Sequence, residues 1–271
     1  MSSASDSEGS CWTLEIVPSH ADQVAVFRGL VREIFVTMIP GTSPADTIQA
    51  FKPLKDAGFN PVPHIAARGF ASEAELRAFC DGLRVHGIRK ALVLAGGQSK
   101  PLGPYLDSFQ IIESEAFRSS GVDVVALAGH PEGNPQDKNS LNSLLKKLRY
   151  LQDIGLEAEI LTQWSFAPDK VSAYIRLLRE EGVAVPIRVG VAGPASLHTL
   201  LKYAKICGVT AAKEVLRKQG FSFGRLLMSN DPKRFVSNVS GTSHFHLYPF
   251  GGLEKCSRWL EDHSVAARDS A

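Results

Sequence analysis

"WTLEIVPSHADQV", Trp12–Val24, is the stretch on which the fold turns. It opens as a short apolar strand, stops at Pro18 and carries one carboxylate, Glu15, in the middle. A lone acid inside such a strand is costly when it is buried without a partner. The turn after the strand matters as much. A doubly wound dinucleotide-binding sheet carries a GxGxxG turn after its first strand. No such glycines stand here, which lowers an open sheet against a closed barrel.

The rest of the chain repeats the unit that this strand begins. Further β-rich runs are "IFVTMI", "NPVPHI", "KALVLA", "VDVVALA", "EAEILTQ", "PIRVGVA" and "SHFHLYPF". Helical patterns fall between them. "SPADTIQAFKPLKDAG" has Ser43 as N-cap, Pro44 at the first helical position and Gly58 as stop, and Pro53 predicts a kink. "SEAELRAFCDGLRVHG" carries a capping-box pattern from Ser72 to Glu75 and ends at Gly87. "NSLNSLLKKLRYLQDIG" and "APDKVSAYIRLLREEG" have helix-spaced leucines and a closing glycine. The longer insert Ser196–Ser240 reads as several helices. Eight such units in 271 residues predict an α/β fold, a single (β/α)8 TIM barrel over residues 11–271.

Composition narrows the function classes. With 44% hydrophobic and 21% charged residues the chain is an ordinary globular protein. A net charge of +2 offers nothing to a nucleic acid, and no run approaches the ~18 apolar residues of a membrane span. "MSSASDSEGS", residues 1–10, lacks the apolar core of a signal peptide and reads as a disordered tail. Cys11, Cys80, Cys207 and Cys256 form no CxxC pair and read as reduced thiols of a cytoplasmic protein. Exposed barrel helices leave a homo-oligomer open.

In a barrel the chemistry gathers at the C-terminal ends of the strands. The polar residues expected there are Glu15, Thr37, His64, the turn "LAGGQ" (Leu94–Gln98), His130, Gln163, Arg188, His244, His246 and Tyr248. Each also has a plain reading. Glu15 could pair with Arg188 as a structural ion pair. His64 and His130 could bond backbone in their proline turns, and "LAGG" could be only a tight turn. "KKLR" reads first as the solvated face of a helix. Gln163 is harder to dismiss, because a buried amide must satisfy both donors and its acceptor. "HFH" (His244, His246) suggests a metal-dependent hydrolase with His64 or His130, but no aspartate follows an apolar run at a strand end. GxSxG is absent.

The ordered set of strand ends resembles the methylenetetrahydrofolate reductase family, in its bacterial-type catalytic barrel, from about Leu14 to Leu260. "LEIVPS" is similar to the family's "FEFFPP", "PHIAA" to "PHLTC", and "LAGG" to "LRGD". "HPE" is kept at His130–Glu132, "TQWSFAPD" is similar to "TQFFFD", and "FHLYPFGG" to "FHFYTLNR". The resemblance implies an oxidoreductase of one-carbon metabolism that acts on tetrahydrofolate derivatives with NAD(P)H. Glu15 matches the family's general acid, which protonates folate N10 as the methylene bridge opens. Gln163 matches the pterin contact, with Trp164, Phe166 and His64 beside the substrate. His64, Leu94, Gly96, Gly97 and His130 match positions that line FAD.

The departures fall on the flavin side. Ala95 and Gly97 stand where the family has arginine and aspartate, and Leu151 stands where it has a lysine, with Lys147 or Arg149 as substitutes. Two cofactor arrangements remain: FAD held by altered contacts, or hydride passed directly between NAD(P)H and folate. A folate-binding methyl-transfer protein without redox activity is the alternative of another class.

Overall fold

The computed structural model describes residues 11–207, 209 and 231–268. The predicted tail, residues 1–10, and much of the Ser196–Ser240 insert lie outside them. Eight parallel strands close into a barrel in sequence order. They are β1 (Trp12–Ile16), β2 (Glu33–Val36), β3 (Asn60–Ala66), β4 (Lys90–Leu94), β5 (Val124–Gly129), β6 (Glu157–Thr162), β7 (Ile187–Ala192) and β8 (Phe245–Tyr248). The barrel closes where β8 pairs with β1, with Thr13 opposite His246. Among the described residues no helix is long and apolar enough to cross a membrane.

Strand alternation sorts the side chains into two cores. Leu14 and Ile16 point outward and pack with Ala21, Val24 and Phe27 under the helices. Each of the larger side chains contributes about 1.5–3 kcal/mol on burial. The alternate residues Phe35, Val62, Leu92, Ala126 and Leu161 form a small apolar plug inside the barrel. Thr13 and Glu15 share the inward parity of that plug, since Glu15 stands opposite Phe35 in the β1–β2 register. The parity of one short strand therefore aims Glu15 into the barrel.

The connections follow their local chemistry. After β1 comes a 3-10 helix, Pro18–Phe27, in place of a full α-helix. Ser43 caps α1 (Pro44–Gln49) through a reciprocal bond with Asp46. The predicted kink is a break: α1 ends at Gln49 and α2 (Phe51–Asp56) follows. The Pro53 ring clashes with the carbonyl four residues back, which is that of Gln49. In α3 (Glu73–Val85) the Ser72 hydroxyl accepts from the Glu75 N–H. The Glu75 carboxylate, however, accepts from the Ala71 N–H at 2.6 Å and not from Ser72. The capping box is shifted by one residue. Next come α4 (Ser108–Glu113), α5 (Glu115–Arg118), α6 (Ser140–Asp153), α7 (Pro168–Glu180), α8 (Leu197–Cys207), α9 (Pro232–Asn238) and α10 (Leu253–Arg268).

Candidate active site

Glu15 lies inside the barrel between two imidazoles. Its Oε2 is 3.4 Å from His64 Nε2 on β3 and 3.4 Å from His246 Nε2 on β8. The Glu15 side chain is 17% exposed, and both histidines are buried. Burial pushes the Glu15 carboxyl up to about 8 and the His64 imidazole down to about 3. His246 is also held well below its ordinary value, first by burial and then by Arg188, His64 and Lys90. At neutral pH this part of the barrel holds a protonated acid and two neutral imidazoles.

The charges sit lower. Lys90 is ion-paired with both Glu33 and Glu159 inside the barrel. Arg188 does not pair with Glu15, the structural alternative read from the sequence. Its Nη1 points to the carbonyls of Cys11 and Phe245, at the N-terminal end of the strands. The β7 parity that turns Arg188 inward also places it a layer below the acid, opposite Leu161.

On the β5–β6 side, His130 and Gln163 line one small cavity with Glu132, Trp164 and Cys207. The Gln163 N–H donates to Gly129 O, and its side-chain Oε1 accepts from the Trp164 N–H. Glu132 accepts from the Ser165 hydroxyl, tying this turn to the next. Trp164 lines this cavity too but is itself 1% exposed and packs with Ala204, Val209 and Tyr248. Phe166 meets it edge-on at 5.1 Å and is the more exposed ring. Gly190 makes this packing possible, because a Cβ there would stand 2.5 Å from Thr162 O and 2.8 Å from Tyr248 Cε2.

Leu94 ends β4, and the turn after it holds Gly96 and Gly97. Leu94 packs on the interior plug. Gly96 has φ +98°, which favours glycine, and the Gln98 side chain folds against it with a buried, unpartnered Oε1. Arg68, which no sequence motif marks, binds this turn from the turn after β3. Its backbone N–H donates to Ala95 O and its carbonyl accepts from Leu102. Its guanidinium reaches the carbonyls of Leu106 and Gln98 and the Gln136 amide. Leu151 is buried in the helix core, whereas Lys147 on the same helix reaches Ser108 at 3.0 Å. Burial, followed by Lys147, lowers His130 to about 4.

The "HFH" pair is split. His246 turns into the barrel, while His244 precedes β8 and is exposed. Among the described residues no group of three or more His, Cys, Asp or Glu side chains is placed to hold a metal ion. Thr13 meets His246 across the closing seam, a pairing that the sequence does not reveal. The inward parity of both is legible, but their contact depends on how the barrel closes.

A family model described as Methylenetetrahydrofolate reductase matches residues 34–219, more than half of the chain. The match includes His64, the β4 turn, His130 and Gln163, and begins after Glu15. Among solved structures, a mandelate racemase/muconate lactonizing protein from Herpetosiphon aurantiacus is 14% identical, with TM-score 0.42. That match covers 65% of this chain and 53% of the other, so the chain spans about half its length. The carboxyl transferase domain of Rhizobium etli pyruvate carboxylase is 9% identical over 96% of this chain and 47% of the other, with TM-score 0.49. Dihydropteroate synthase from Thermus thermophilus is 10% identical over 94% of both chains, with TM-score 0.48.

Proposed function

This chain belongs to the methylenetetrahydrofolate reductase family, and on that premise we propose that it interconverts 5,10-methylenetetrahydrofolate and 5-methyltetrahydrofolate, with NAD(P)H and NAD(P)+ as redox partner. Membership makes it a folate-related reductase. The reaction and the residue roles are our reading. One observation carries them: burial keeps the Glu15 carboxyl protonated at neutral pH, between two neutral imidazoles.

Opening the methylene bridge needs a proton at folate N10. A carboxyl whose pKa lies near the working pH donates that proton effectively. Glu15 fills this role, its O–H breaking as the N–H at N10 forms. Gln163 offers a primary amide to the amide-like edge of the pterin, and Phe166 gives it an apolar face. Trp164 serves as the buried wall behind them.

The β4 turn fits a flavin's polar edge and phosphates in kind. It offers the backbone at Gly96 and Gly97, the orphaned Gln98 Oε1, and Lys147 beside His130. His64, Leu94, Gly96, Gly97 and His130 would hold FAD, with Lys147 as the nearby cation. When bound, FAD supplies the hydride-transfer chemistry. The second reading, direct hydride transfer from NAD(P)H, is favoured by Ala95 and Gly97, which leave no arginine or aspartate at that turn.

The test is NAD(P)H-linked turnover of the two folates by the purified protein, together with its absorption spectrum. Glu15→Gln, shown to be folded by circular dichroism, is expected to lose about 10²–10⁴ in kcat. Normal turnover in that variant would remove Glu15 from the chemistry. A flavin spectrum supports the FAD arrangement, and full activity without one supports direct transfer.

A further inference from the structure

We infer that His64 and His246 form a paired N–H cradle for the Glu15 carboxylate that proton delivery creates, with Thr13 setting the tautomer of His246. The inference rests on the acid role proposed above for Glu15. It gives His64 a second role, toward the acid, and adds His246 and Thr13 as positioning residues.

The geometry is unusual in a specific way. Both imidazole Nε2 atoms stand 3.4 Å from the same carboxyl oxygen. Yet both are buried and without a hydrogen-bond partner in this arrangement. A buried unmatched ring nitrogen is costly, and two facing one oxygen are doubly so. The cost is recovered if the oxygen they face becomes an anion during turnover, since hydrogen bonds to a charged acceptor are shorter and stronger.

Thr13 is the group in contact with the other ring nitrogen of His246. Its Oγ1 lies 2.8 Å from His246 Nδ1. The same hydroxyl is 3.5 Å from the Phe245 carbonyl, at the limit of a hydrogen bond, and donation there would leave Nδ1 as the protonated nitrogen. The cradle requires that the hydroxyl donate to Nδ1 at the shorter contact, which places the ring hydrogen on Nε2, facing Glu15. Arg188 and Lys90, below His246, oppose its protonation, so it acts as a neutral donor. Lys90 is already held by Glu33 and Glu159. Besides the two histidines, Glu15 faces Tyr248 from β8 and Cys207 from α8, both kept in their neutral forms by burial.

The step balances within these groups. Glu15 Oε2 serves as the carbonyl oxygen toward the two imidazoles, and the other oxygen carries the proton. When that O–H breaks and the N–H forms on folate, one negative charge appears on the carboxylate. The two Nε2–H groups close from 3.4 Å to receive it, a short ring movement in place of a solvent rearrangement.

The experiment follows the Glu15 carboxyl by carbon-13 NMR across pH in the full chain, with Glu15→Gln to assign the signal. His246→Phe removes one donor, and Thr13→Val removes only the hydroxyl that orients it. Loss of a donor to the charged form is expected to raise the Glu15 titration by about one pH unit in His246→Phe, and by less in Thr13→Val. His246→Gln, which retains an N–H donor, is expected to restore part of the shift. In turnover, the alkaline limb of the kcat profile moves up with it, and kcat falls on the order of 10²-fold with KM little changed. An unchanged or lowered Glu15 titration in these folded variants overturns the cradle. If His246→Phe does not fold, Thr13→Val decides alone. If the wild-type protein turns over no folate, the reductase reading falls, while the titration still decides the cradle.

Discussion

Lys90 Nζ stands 2.7 Å from Glu159 Oε1 inside the barrel, beneath the acid and its imidazoles. Glu33 holds the same ammonium at 2.9 Å. Removing one member of a buried pair leaves uncompensated charge, which costs more than the pair itself contributes. Lys90→Met is therefore expected to lower unfolding stability by about 3–5 kcal/mol in urea denaturation. Lys90→Met combined with Glu159→Gln is expected to recover part of that loss. Equal stability of the single variant and the wild type would contradict this account of the barrel floor.

Glu15 sets the alkaline side of the stability curve. Its folded pKa, about 8, is raised above the ordinary value of 4.5. The contribution tied to its protonated form is fully present below about 4.5 and is lost as pH rises toward 8. Glu15→Gln is expected to be more stable than wild type at pH 8, by about 1–3 kcal/mol, with the gap closing near pH 4.5. Urea titrations at a series of pH values measure it. A gap that does not change with pH would mean that Glu15 is not buried as a neutral acid.

The histidines set the acid side, with the opposite sign. His64 falls from 6.5 to about 3 and His130 to about 4, both by burial first. A depressed histidine contributes stability that is present above 6.5 and is lost as pH falls toward its folded value. Stability should therefore decline between pH 6.5 and about 3. His64→Gln should flatten part of that decline, read as a shallower pH dependence of the urea midpoint.

Gly190→Ala tests the seam between β6, β7 and β8. The added methyl would meet Thr162 O at 2.5 Å and Trp164 N at 2.8 Å, both backbone atoms. Backbone cannot step aside as a flexible side chain can, so the strands must separate. A loss of about 1–3 kcal/mol is expected, together with altered tryptophan fluorescence from Trp164. A variant with wild-type stability would place Gly190 in open space.

The strands were legible in the sequence because each is a short apolar run bounded by Pro, Gly or a cap, and eight such runs admit few folds. Glu15 was legible for a related reason, as a charge within a run that is otherwise apolar. Its partners were not. His246 lies at the far end of the chain and reaches Glu15 only because β8 closes onto β1 in one register, Thr13 opposite His246. Arg188 looked like the natural counterion by charge alone, but depth along the barrel axis separates it from the acid. Trp164 shows the same limit, since adjacency to Gln163 says nothing about which of the two is buried. Lys147 and Leu151 differ by one helical turn, and the turn decides that the cation and not the leucine reaches the β4–β5 loops.

Arg68 makes one side of the mouth a single mechanical piece. A lone guanidinium and its own peptide group fasten the turns after β3, β4 and β5 to one another. Such a rivet ties their fates together. Loosening it would free residues on all three turns at once, so amide exchange along the rim should rise in concert and not turn by turn.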